Sequence, residues 1–176
     1  MPARSGLLRG FVLVACLLVL GGLVTGRDRL WEMIAGPPDL GAVDFASLEP
    51  GPHPNHVVVC PPGHCRPAVS DLPAPVFAVP ADRLSALVAA VAAEEPRTER
   101  VDDGSDPLRA RYVVRSRVMR FPDTVSVEVV PLGDDRSTLS IYGRAQLGSG
   151  DFGVNRKRVE RWLREIEARA RQAPAG

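Results

Sequence analysis

From Leu139 to Gln146 the side chains alternate. Leu139, Ile141, Gly143 and Ala145 fall on one face, and Ser140, Tyr142, Arg144 and Gln146 on the other. A period of two belongs to a half-buried strand. Gly148-Ser149-Gly150-Asp151-Phe152-Gly153 then breaks the pattern, and glycine permits turns that other residues resist. Beyond the turn, Val159, Trp162, Leu163 and Ile166 recur at helical spacing. Asn155 suits the cap of a helix running to about Arg171. Asp151 is the alternative start, with Asn155 inside the helix. A strand that turns directly into an amphipathic helix buries that helix's apolar stripe on its own sheet.

The upstream sequence supplies the rest of such a sheet. Arg109 to Phe121 reads as a strand. Val125, Val127 and Val129 alternate with Ser126 and Glu128 in a second, and Gly133-Asp134-Asp135 turns the chain into the third. Before them, Leu84, Leu87, Val88 and Val91 form one face of a helix that opens at Pro80 and stops at Pro96. The expected fold class is α+β. It is an antiparallel β-meander of three or more strands packed against two helices, preceded by one N-terminal transmembrane helix.

That last element comes from the uncharged apolar run Gly10 to Gly26. With Leu7 and Leu8 it can just span a bilayer. Arg4 and Arg9 on its N-terminal side favour an extracytoplasmic location for the bulk of the chain. The expected location is therefore the cell membrane, single-pass, with the membrane as partner through residues 7–26. Secretion or periplasmic release after signal cleavage is the alternative. The organisation expected is an anchor or signal-like segment over 1–26 and a juxtamembrane, proline-rich linker over 27–53. An α+β domain follows over 54–171, with a flexible tail over 172–176. Phe45 and Leu48 in the linker are candidates to dock on the core.

All three histidines and both cysteines outside the apolar run fall between His53 and Cys65. Cys60 and Cys65 flank Pro-Pro-Gly and can close a small loop by a disulfide. Imidazole and thiolate at this density also suit zinc or copper, although the spacing matches no strong metal signature. A formal net charge of +1 over 176 residues argues against a general nucleic-acid binder. No phosphate-loop, dinucleotide, serine-elbow or metalloprotease motif is present, so no cofactor is expected and no catalytic residue is assigned.

At Arg120-Phe121-Pro122-Asp123, and from Asp151-Phe152-Gly153-Val154-Asn155 through Arg156-Lys157-Arg158-Val159, the chain resembles a bacterial and plant family, domain of unknown function 1499. The resemblance covers roughly residues 54 to 167 and carries no activity with it. The family's start is similar at Pro54 and Asn55, but the small polar residues that follow there are replaced by His56, Val57, Val58 and Val59.

Arg117, Arg120, Arg144, Arg156 and Arg158 are candidates to converge on an anion, because the guanidinium fork matches carboxylate and phosphate. Asp123, Asp151 and Asn155 are candidates to partner them instead and to hold the last helix on the sheet. Two functions follow. One is a membrane-tethered accessory or binding domain with an anion-binding surface for a small molecule or lipid headgroup. The other is an enzyme acting on an anionic substrate, or a metal-binding protein using residues 53–65. A deep pocket with a buried, unpaired Asp or His beside the arginines favours the enzyme, and arginines each paired with Asp or Glu on a convex surface favour the binding domain.

Overall fold

The computed structural model describes residues 3–50, 55–66, 68–147 and 153–172. The chain forms two compact units, Met1–Pro37 and Pro38–Gly176. The first contains α1 (Ala3–Ala35), which Gly26 interrupts at φ 74° and ψ 150°. Among the described residues no helix is long and apolar enough to cross a membrane. This corrects the expected transmembrane or signal-anchor helix. It leaves the single-pass location and the membrane partner without a span to rest on. The physical reason is length. The run Gly10–Gly26 is seventeen residues, closed by Arg9 and by Arg27-Asp28-Arg29. At about 1.5 Å per residue it reaches about 25 Å, against a hydrocarbon core of about 30 Å.

The second unit contains β1 (His56–Cys60), β2 (Leu72–Pro73), α2 (Ala81–Glu94), β3 (Thr98–Arg100), β4 (Arg109–Arg115), β5 (Pro122–Pro131), β6 (Ser137–Ala145) and α3 (Val154–Gln172). The strands form one sheet in the order β2-β1-β6-β5-β4-β3. β1 runs parallel to β2 and antiparallel to β6, so the sheet is mixed. That corrects the plain antiparallel meander. The cause is the run Val57-Val58-Val59, which is apolar on both faces and buried on both; such a strand belongs inside a sheet rather than at its margin. β4 is also shorter than the alternation suggests. It ends at Arg115, and the Ser116 and Phe121 backbones close a turn, Ser116 N–H donating to Phe121 C=O at 2.9 Å.

One face of the sheet is packed by the two helices. Val57, Val114, Val125, Val127, Leu139 and Ile141 meet Leu84 and Val88 of α2 and Val159, Trp162 and Ile166 of α3. Trp162 stands edge-on to Tyr112, ring centroids 5.8 Å apart. Its indole N–H donates to Glu95 beyond the end of α2.

The opposite face is covered by chain. Residues 38–48 cross it as a strap, with Phe45 and Leu48 buried against Val58, Cys60 and Tyr142. Three strands hold the strap. On β4 the Arg111 Nε donates to Asp39 at 2.7 Å. On β5 the Thr124 hydroxyl donates to Pro38 C=O and accepts from Leu40 N–H, both at 3.2 Å. On β6 the Arg144 Nη2 donates to the Leu40 and Gly41 carbonyls, each at 2.8 Å. Gly41 adopts φ 82°, a left-handed conformation that glycine enters at little cost.

Candidate functional site

The residues that carry the family resemblance meet on the helix face. Asp123 opens β5 opposite Ala145 of β6. Arg158 lies on the inward side of α3. Its Nη2 donates to Asp123 Oδ2 at 2.9 Å and its Nη1 to Asn155 Oδ1. All three side chains are buried. Asn155 is inside α3 rather than capping it, and its side chain is turned towards the residue three positions on, which shares its helix face. Gly143 leaves room for this cluster. A Cβ there would lie 3.2 Å from Val57 Cγ1 and 3.7 Å from Asn155 Oδ1. A guanidinium sealed against a carboxylate in this way ties the last helix to the sheet and is not offered to an outside anion.

The other predicted arginines do not join it. Arg117 is exposed in the β4–β5 turn, and Arg120 is half-buried there at φ 63°. Arg156 points outward from α3 and lies 3.6 Å from Glu160. Arg144 is on the far side of the sheet, because Gly143 occupies the helix face and neighbours on a strand point opposite ways. Asp151 lies outside the described residues.

Arg144 differs from the other well-paired arginines. Arg109, Arg111, Arg158, Arg161 and Arg169 each have a carboxylate within 3.0 Å. Among the described residues Arg144 has none within ion-pair distance. Its guanidinium lies 5.3 Å from the Tyr142 ring centroid, and its buried Nε has no hydrogen-bond partner. Burial pushes its pKa below the usual arginine value, while Tyr142 and Asp39 work in the other direction. The side chain borders a cleft of about 400 Å³ under the strap, shared with His56, Tyr142, Leu48 and Asn55. His56 is the register partner of Arg144 across β1 and β6 and stands edge-on to Tyr142 at 6.1 Å.

A second cleft of about 530 Å³ lies across the strap, over β4 and β5, with Phe45 and Val43 on its wall and Ser126 and Glu128 beneath. Glu128 accepts from Arg109 at 3.0 Å and lies 3.6 Å from the His64 Nε2. On its rim, burial would raise Asp102. The Arg100 guanidinium and the Arg111 backbone N–H outweigh it and bring the carboxyl down to about 2.

Cys60 and Cys65 form a disulfide. Among the described residues no group of three or more His, Cys, Asp or Glu is placed to hold a metal ion. Both thiols are consumed, His56 lines the first cleft and His64 lies beside Glu128, so the described residues give the metal-binding alternative no ligand set; His53 lies outside them.

The sequence model of a family described as "Protein of unknown function (DUF1499)" matches residues 52–166. The chain belongs to the DUF1499 family. No curated protein matches this DUF1499 sequence. Among solved structures, the Zhui aromatase/cyclase from Streptomyces sp. R1128 is 15% identical, with 56% of this chain and 91% of that one covered and a TM-score of 0.31. A Thermobifida fusca protein solved by NMR is 16% identical over 52% and 91%, TM-score 0.29. The TTHA0849 protein of Thermus thermophilus is 14% identical over 66% and 97%, TM-score 0.33. Likenesses this distant say nothing of the DUF1499 domain's activity.

The expected membrane-tethered accessory domain is corrected with its helix. In its place, the polar face of the DUF1499 sheet carries the clefts. His56, Ser126, Glu128 and Tyr142 line them; the sequence places His56 only in a candidate metal-binding segment and the other three in no site. The available signal was the polar half of the strand alternation. Thr124, Ser126, Ser140 and Tyr142 are mostly small or aromatic rather than charged, and they are buried.

Proposed function

We propose that the DUF1499 domain is an enzyme acting on a small anionic substrate held in the cleft between the strap and β1–β6. The supporting observation is Arg144, a half-buried guanidinium at a cleft with no carboxylate partner among the described residues. A desolvated cation of this kind favours a carboxylate or phosphate brought in from solution, because the ligand supplies the missing counter-charge in a site of low dielectric. The Tyr142 ring lies 5.3 Å from the guanidinium and offers it a π face. His56 is the group for proton transfer. Histidine is the usual proton carrier near neutral pH, and the β1–β6 register puts it beside the cation.

The test has two stages. Thermal melting of the full chain is followed in acetate, benzoate, citrate and phosphate. At least one anion should raise the midpoint with its concentration, as mass action requires, and Arg144→Ala should abolish the shift. Compounds that stabilise are then incubated with the protein and followed by mass spectrometry. His56→Gln should stop conversion while keeping the thermal shift. If no anion moves the wild-type midpoint, the cleft holds no such substrate. If an anion binds through Arg144 but nothing is converted, the catalytic assignment falls.

A further inference from the structure

The Cys60–Cys65 disulfide sits where it meets the strap. Cys60 ends β1 and is buried with Phe45, Leu48, Val58 and Tyr142, and Cys65 and Val69 pack against the same group. The loop it closes reaches the strap side at two further points. The His64 ring lies 6.4 Å from the Phe45 ring, and its Nε2 is 3.6 Å from Glu128 of β5. Arg66 pairs with Glu49, just past the end of the strap.

Little else fastens residues 61–66. Their backbone bonds are local, His64 N–H donating to Pro61 C=O at 3.2 Å and Val69 N–H to Arg66 C=O at 3.4 Å. Arg66 and Glu49 are both exposed, and ion pairs in water contribute little. The firm bonds of this connection begin further on. Ser70 Oγ accepts from Cys60 N–H at 3.1 Å, and Asp71 exchanges bonds with Val58 at 2.8 Å through its carboxylate and its N–H. The disulfide is thus the main tie that keeps His64 and Arg66 against the strap.

The bond can also open without unfolding the domain. A disulfide constrains the unfolded chain less, the shorter the loop it closes, and here the two cysteines are only five positions apart. The pairing of β1 with β6 and the Ser70 and Asp71 bonds do not involve sulfur. The two sulfurs are unequally placed. Pro62, Gly63 and Arg66 are exposed and Cys65 is half-buried, whereas Cys60 is 6% exposed. Access decides which sulfur a thiolate attacks, and it favours Cys65.

We propose that the Cys60–Cys65 bond is a redox-sensitive clasp on the strap, opened by a dithiol. One thiolate of the dithiol attacks Cys65 Sγ; the S–S bond breaks, and Cys60 leaves with the electron pair and takes up a proton. The second thiol then attacks the mixed disulfide and releases Cys65 as a thiol. Two electrons and two protons pass to the protein, and the dithiol becomes a disulfide. The Cys60 thiol stays beside Ser140 Oγ, 3.4 Å away, while residues 61–66 swing clear of Phe45 and Glu49. The strap keeps its bonds to Arg111, Thr124 and Arg144 at one end and loosens at Phe45 and Leu48. Both clefts have a wall there. The clasp does not depend on either cleft holding a ligand.

The test uses the full chain carrying Cys16→Ser, so that Cys60 and Cys65 are its only cysteines. Oxidised and dithiothreitol-treated protein are compared without denaturant by thiol counting and by hydrogen exchange read in a mass spectrometer. Reduction should release two thiols. Amide exchange at the Phe45–Leu48 end of the strap should then rise several-fold, while β5 and α3 stay as slow as before. Adding Cys60→Ser and Cys65→Ser should give the fast strap with or without dithiothreitol. Three results would each overturn the proposal: no thiol released from the native protein, an unchanged strap once both thiols are counted, or equal acceleration in α3 and β5. The last would make the bond a support of the whole fold.

Discussion

The two faces of this sheet are built from the same strands and have come to different ends. On the helix face, odd-numbered positions of β5 and β6 present Val125, Val127, Leu139 and Ile141, and the ionic cluster of Asp123 with Arg158 and Asn155 is buried and bonded. On the strap face, the even positions present Thr124, Ser126, Glu128, Tyr142 and Arg144, and the cover is a single extended segment rather than two helices. Helices bring broad apolar stripes that fill the space above a sheet. A strap anchored at a few points leaves gaps on either side, and here those gaps are the two clefts. Stability belongs mainly to one face and exposed chemistry to the other.

The sharpest way to break this contrast is Asp123→Ala. It removes the carboxylate and leaves the Arg158 charge buried, which should cost about 3–5 kcal/mol, read as a drop in urea midpoint. Replacing Arg158 by Met at the same time should recover part of the loss. A negligible change in the single variant would mean that the signature cluster does not hold α3 to the sheet.

A smaller effect is expected at Gly143. In Gly143→Ala the new methyl meets Val57, which is fully buried and cannot move aside freely. Overpacking of this kind typically costs about 1–3 kcal/mol. The strap-face counterpart, Ala substitution of Arg144, should change the midpoint less than Gly143→Ala does. If Arg144→Ala proves the more damaging of the two, the division between a stabilising face and a functional face is wrong.

How far the sequence reveals this division depends on the element. Val159, Trp162, Leu163 and Ile166 announce the inward side of α3 by their spacing, and all four are buried. Leu84, Val88 and Val91 do the same for α2. The strand alternation separates the two faces, but it leaves open what covers the polar one. Ser, Thr and Tyr on alternate positions look like a solvent face until a cover is known. That cover is encoded in a proline-rich stretch with no clear period, where Phe45 and Leu48 stand out only as isolated apolar residues. The arginines mislead for a related reason. Their type suggests a common ligand, whereas parity along β6 and angle around α3 send Arg144, Arg156 and Arg158 to three different surroundings.

The smallest expected effect concerns the rim of the cleft over β4 and β5. Asp102 has a folded pKa of about 2 against an ordinary value of 3.8. A depressed carboxyl contributes stability that is complete above the unfolded value and disappears as pH falls through the folded one. Wild type should therefore lose stability between about pH 4 and pH 2, and Asp102→Asn should flatten that part of the curve. High salt should narrow the difference only modestly, because the carboxylate is mostly covered. Identical acid profiles for the two proteins would remove Asp102 from the account.

The strap also dictates a sequence of events. Its contacts are among the most distant in the chain: Leu40 and Gly41 accept from Arg144, 104 and 103 positions later, and Leu40 donates to Thr124, 84 positions later. During synthesis from the N-terminus, residues 38–48 emerge long before β5 and β6 exist to receive them. Closing so long a loop is entropically unfavourable until the sheet is in place. The strap therefore docks only once β4, β5 and β6 are in place, and both clefts come into being at that closing step.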